Sequence, residues 1–159
     1  LPRIVGLKDA TGDIPRVRHL RRRLGDGFRL FSGDDATQTA FRRAGGDGCI
    51  SVTANVTPAL CAALHRACDR HDDAEIMRLQ DVLSPVHTAM FLEANPIPVK
   101  RALGRLGLMV DGLRLPLTPL SAVADVQLAE VLKNVMPLEE QESRHPVTPG
   151  RRFFRSRAA

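Results

Sequence analysis

The apolar positions of this chain change their period about halfway along it. Up to about residue 71, short apolar runs alternate with stretches of helical period; beyond that, only helical periods remain. Three runs, "RIVGL" (3–7), "FRLF" (28–31) and "GCISV" (48–52), are short, apolar and partly β-branched or aromatic. Such runs, each set off by turn residues and followed by a helical pattern, predict buried strands of a parallel sheet. The first helix is expected to start at Asp13, an N-cap, with Pro15 in its first turn; Ile14, Val17, Leu20 and Leu24 then share one face. The second runs from about Asp35, read as its N-cap, to Ala44, where "GG" ends it. The third starts at Thr57–Pro58 and continues to about Arg70. Strand–helix alternation of this kind implies parallel pairing with right-handed crossovers.

From Asp72 the pattern predicts helices over about 72–92, 95–106 and 121–135. "RLPLTPLS" (114–121) connects the last two, with Ser121 capping the final helix. After Pro137 the periodicity dissolves. The expected organisation is therefore a strand–helix part over 1–71, a helical extension over 72–138 and a disordered basic tail over 139–159. Three strands cannot close a barrel, and as an open sheet they expose raw edges. Their spacing is that of a (β/α)8 barrel, in which ~250 residues make eight units. The fold class expected is α/β: the C-terminal part of a TIM barrel, its last three βα units, followed by a helical extension. The start at Leu1, without methionine and almost directly in a strand, reads as a cut within a longer protein.

Composition narrows the functional classes. With 159 residues, 43% of them hydrophobic, the chain can bury one ordinary core. No apolar run approaches the ~18 residues of a membrane span, and "LPRIVGLK" lacks the pattern of a signal peptide. Cys49, Cys61 and Cys68 have no metal-ligand spacing and read as small hydrophobes in a reducing cytoplasm. The net charge is +5, of which residues 139–159, with five arginines and three glutamates, hold +2. The remaining +3 is not the charge of a nucleic-acid binder, and the "RRFFRSR" end reads as solvated chain. Neither nucleic acid nor membrane is expected as a partner.

The candidate chemistry lies at the strand ends. Lys8, then "DATGD", follows the first strand; "SGDD" (32–35) follows the second; "ISVTAN" (50–55) closes the third. Only three of the 23 basic residues are lysines: Lys8, Lys100 and Lys133. Arginine stays protonated, whereas a desolvated lysine can lose its proton and attack a carbonyl. Lys8 thus has two readings, a Schiff-base nucleophile or a cation paired with Asp9 or Asp34, and position alone does not separate them. A proton shuttle is not evident. The chain has no tyrosine, its histidines (His19, His65, His71, His87 and His145) fall on predicted helices or in the tail, and Asp35 is assigned to a cap.

"IVGLKDATGD", "FSGDD", "GGDGCISVTANVTP" and "ANPIPVK", in this order, resemble the C-terminal half of the dihydrodipicolinate synthases, members of the pyruvate-dependent Schiff-base aldolases. The resemblance runs from about Pro2 to Met136. It implies that Lys8 forms the imine with pyruvate, that Ile50 borders the bound pyruvate, and that Gly33 lies beside the condensing substrate. Asn95 to Lys100 match the start of a helix in the family's C-terminal extension. The implied reaction is a lyase-type condensation of pyruvate with aspartate semialdehyde, on the route to diaminopimelate and lysine. It requires no metal or organic cofactor and takes place in the cytoplasm, in an enzyme that commonly forms homotetramers. The family's relay tyrosines, its paired threonines and its substrate-binding arginine belong to the N-terminal half and have no match here, so this polypeptide alone is expected to be inactive. Two alternatives stand beside this reading: another pyruvate aldolase or hydratase-aldolase, and a non-catalytic half-barrel that pairs with a partner's sheet edge.

Overall fold

The computed structural model describes residues 3–144. The chain begins with a strand–helix alternation. β1 (Gly6–Asp9), α1 (Ile14–Leu24), β2 (Arg29–Ser32), α2 (Gln38–Arg43), β3 (Gly48–Cys49) and α3 (Pro58–Arg70) follow one another, with a 3-10 turn over Thr53–Asn55. The strands form one parallel sheet in the order β1-β2-β3. α4 (Asp73–Ala89), α5 (Ile97–Arg105) and α6 (Ala122–Ser143) come after it. The α/β class, the parallel sheet and the change to helices after residue 71 are as expected, and the arrangement is consistent with part of a barrel.

Local chemistry sets most boundaries. Asp13 accepts a hydrogen bond from the Arg16 amide at 3.3 Å, and Pro15 occupies the first turn of α1. Asp72 caps α4 through the Glu75 amide, and Ser121 caps α6 through the Ala124 amide. α3 ends at His71, whose left-handed φ of 55° closes the helix. β1 lies about two residues later than its apolar run, so Lys8 is within the strand rather than just beyond it.

Two expectations about element ends fail. Asp35 does not cap α2; the helix starts three residues later, after Thr37, and the Asp35 carboxylate points elsewhere. The final helix does not stop near residue 135 or give way to a tail at 139. α6 runs through Pro137 to Ser143 because its end is anchored on α3. The Glu139 carboxylate, buried at 6% exposure, accepts the amides of Ala59 and Leu60 at 2.7 and 2.9 Å, and Glu142 pairs with Arg66 at 3.0 Å. Tail residues 145–159, including His145 and "RRFFRSR", lie outside the described residues.

The main core belongs to the helices. Leu60, Leu64, Leu79, Leu83, Met90 and Leu128 are fully buried among α3, α4 and α6. A smaller cluster of Val17, Leu30 and Phe41 joins α1 and α2 to one face of the sheet. The opposite face carries no covering layer among the described residues, and Ile4 and Ile50 stand exposed. Buried on both faces was the expectation; the sheet is buried on one. Among the described residues, no helix is long and apolar enough to cross a membrane.

Candidate active site

Register decides which side chains meet. Lys8 is paired with Phe31, and Phe31 with Gly48. Partners in a parallel ladder share a face, and residues two apart return to it. Lys8, Phe31 and Gly48 therefore share the open face, and Gly33 and Ile50, two residues on, follow them. The ladder reaches both residues: the Gly33 amide donates to Asp9 O at 2.7 Å and the Ile50 amide to Ser32 O at 2.8 Å. Alternation turns Asp9, Leu30 and Ser32 toward the helices, where each is buried.

Lys8, Gly33 and Ile50 thus converge at the C-terminal end of the sheet. Contact between the first two is close. A Cβ built on Gly33 falls 2.5 Å from Lys8 Cε and 2.7 Å from Ala10 Cβ, so the lysine chain occupies the space that glycine leaves free. Lys8 does not lose its solvation within this chain. Its side chain is exposed, because three strands leave the face on which it stands uncovered.

The ion-pair reading of Lys8 fails for a geometrical reason. Asp9 points to the other face and accepts from the Thr11 amide and hydroxyl and from Arg16 Nε at 2.8 Å. Burial alone raises the Asp9 pKa, but the Thr11 hydrogen bonds and the Arg16 guanidinium overcome it and hold the carboxyl below its usual range. Asp34 turns back on its own loop and accepts from the Thr37 amide and hydroxyl. Among the described residues Lys8 has no ion pair.

Two residues are placed differently from expectation. Asp35, 2% exposed, reaches from the loop after β2 to the loop after β3, accepting from Ser51 Oγ and from the amides of Val52 and Thr53 at 2.8 and 3.2 Å. His87 lies on α4, yet its Nδ1 is 2.8 Å from Thr53 Oγ1 in the same loop. Burial lowers its pKa, with Asp35 and Asp34 acting in the opposite direction. Sequence separation hid both contacts; the one available signal was a second aspartate in "SGDD" beyond what a cap requires. Behind this loop, Asp35, Gln38, Thr39, Gln80, Ser84 and His87 line a cleft of about 320 Å³ between α2 and α4. Asn95 and Pro96 precede α5, as the resemblance implies, and Lys100 Nζ donates to the Gly112 carbonyl away from the strand ends. The cysteines behave as hydrophobes. Burial pushes the Cys49 and Cys61 thiols up to about 12.

Comparison with known proteins places the chain in one family. The chain is 49% identical over 139 residues to a 4-hydroxy-tetrahydrodipicolinate synthase of Alcanivorax borkumensis, a match spanning 87% of this chain and 47% of the relative. It is 50% identical over 134 residues to the enzyme of the same name from Rhodospirillum centenum, spanning 84% and 46%. Among solved structures, the 4-hydroxy-tetrahydrodipicolinate synthase of Methylacidiphilum fumariolicum superposes with a TM-score of 0.82 at 35% identity, over 88% of this chain and 47% of that one. The chloride-inhibited dihydrodipicolinate synthase of Acinetobacter baumannii, solved in complex with pyruvate, gives 0.80 at 40% identity, over 86% and 47%. The chain spans about half the length of the curated relatives it matches. The family description "Dihydrodipicolinate synthetase family" matches residues 1–135, and the chain belongs to that family.

Proposed function

We propose that this chain carries the imine-forming part of a 4-hydroxy-tetrahydrodipicolinate synthase, built on the last three βα units of a (β/α)8 barrel. The observation that carries the reading is the placement of Lys8: unpaired, lying over Gly33 at the strand ends, on the open sheet face that Ile50 shares. In the complete enzyme the neutral amine of Lys8 adds to the keto carbon of pyruvate, and loss of water leaves a protonated imine. The imine nitrogen draws electrons from the neighbouring methyl group, which loses a proton to give an enamine. The enamine carbon attacks the aldehyde of aspartate semialdehyde. The amino group of that substrate then displaces the lysine as the product ring closes. Ile50 borders the pyruvate, and Gly33 leaves room for the lysine stem and the second substrate.

The groups that hold the pyruvate carboxylate and shuttle protons belong, on this reading, to the family's N-terminal half. The activity is therefore one of an assembled enzyme, cytoplasmic and homotetrameric, with no metal or organic cofactor. Coexpression of this chain with the N-terminal half of the Alcanivorax borkumensis relative provides the test. Borohydride reduction in the presence of pyruvate is expected to leave an adduct on the peptide containing Lys8, and neither Lys8→Ala nor Lys8→Arg should trap, since neither supplies a neutral amine. An adduct elsewhere, or equal trapping in Lys8→Arg, overturns the assignment. Turnover by this chain alone, at the rate of full-length relatives, overturns the division of labour.

A further inference from the structure

We propose that Asp35 is a positioning residue of the pyruvate-capturing site, its carboxylate clamping the loop after β3 so that Ile50 is held at the strand ends on the sheet face that Lys8 shares. The inference rests on the reading of Lys8 as the imine-forming residue. It goes beyond that reading by assigning a task to a carboxylate that touches no reacting atom.

The ladder stops where this loop begins. Ile50 has one ladder bond behind it, from its amide to Ser32 O. β3 ends at Cys49, so no strand pairing holds Ser51 to Thr53. Asp35 supplies what the ladder does not. One oxygen accepts the amides of Val52 and Thr53, and the other accepts the Ser51 hydroxyl. The Ser51 oxygen in turn accepts the Ala54 amide at 2.8 Å. Four successive residues directly after Ile50 are thereby tied to one carboxylate two residues away from Gly33. Thr53 is fully buried, and His87 on α4 closes the clamp from the far side through its Oγ1.

The charge suits this task. Three donors converge on two acceptor oxygens, and hydrogen bonds to an anion are shorter and stronger than neutral ones. An asparagine offers one acceptor oxygen, and its NH2 group would face a backbone N–H or the Ser51 hydroxyl. Helix capping does not account for Asp35, because its carboxylate makes no bond to α2, and Asp34 accepts the Thr37 amide instead. Both strand-end loops that border Lys8 are joined by this one side chain.

Two measurements test the clamp. The first is amide hydrogen exchange on the full chain: Asp35→Asn is expected to speed exchange at Val52 and Thr53 about tenfold, the equivalent of one charge-assisted hydrogen bond, with the helical core unchanged. The second is borohydride trapping in the coexpressed enzyme. Half-maximal trapping in Asp35→Asn should need about tenfold more pyruvate, while the maximal extent stays near that of the wild type. A merely structural role lowers the amount of folded protein and leaves that half-saturation point in place. If Asp35→Asn does not fold, Ser51→Ala, which removes one donor and keeps the anion, should raise the half-saturation point about threefold. Wild-type enzyme that fails to trap at Lys8 sinks the reading of Lys8, and hydrogen exchange then judges the clamp alone. Unchanged exchange at Val52 and Thr53, or trapping in Asp35→Asn at wild-type pyruvate concentrations, overturns the proposal.

Discussion

Lys8 and Asp9 are neighbours in sequence and strangers in space. The alternation of a strand sends the lysine to the open face and the aspartate to α1, where Arg16 takes it up. An ion pair between them, attractive in the sequence, is excluded by the period of two. The same face makes Gly33 a residue whose smallness matters. Its backbone is ordinary, but a methyl group there collides with Lys8 Cε and with Ala10 Cβ. The lysine end can swing away; Ala10 Cβ cannot. Gly33→Ala is therefore expected to destabilise the fold by about 1–3 kcal/mol through overpacking and to displace the lysine stem. Urea denaturation checks the first effect, and a wild-type midpoint would show that the contact is not made.

At the scale of elements, the end of α6 separates pattern from packing. "PLEEQES" reads as polar and proline-broken, a pattern that predicts a tail from residue 139. The helix continues because Glu139 faces the start of α3, where the first amides of a helix lack partners and the dipole favours an anion. A glutamate eighty positions away thus does the capping that Thr57, immediately before α3, does not do with its side chain. Glu139→Ala leaves one buried and one part-buried amide without acceptors and is expected to cost about 2–3 kcal/mol. The urea midpoint should fall accordingly, whereas Glu140→Ala, at an exposed position on the same turn, should stay within about 0.5 kcal/mol of wild type.

Across the whole molecule, partial burial of two imidazoles ties stability to pH. His65 and His87 both have their pKa lowered, first by desolvation. For His65 the Arg42 charge adds to this and Asp69 opposes it. The unfolded chain, with histidines near pH 6.5, binds protons before the folded chain does. Stability is therefore complete above about pH 6.5 and is lost as the pH falls from there toward the lower folded values. Asp9 and Asp47 add a loss of the same sign at lower pH, since both carboxyls are held below their ordinary range. The denaturation midpoint is expected to drop between pH 7 and 5.5, and the slope should flatten in His65→Gln. A midpoint unchanged over that interval contradicts the lowered pKa of these half-buried imidazoles.

The sequence by itself determined the alternation of elements, most helix starts, the family and the identity of the strand-end residues. Those features are written in local periods and in capping residues such as Asp13, Asp72 and Ser121, whose physics acts within a few positions. The tertiary structure alone decided which side chains meet: Gly33 under Lys8, Asp35 on the loop after β3, His87 on Thr53 and Glu139 on α3. Each of these joins residues far apart in sequence or depends on register, and a hydrogen bond or a steric contact is set by distance in space, on which one-dimensional spacing is silent.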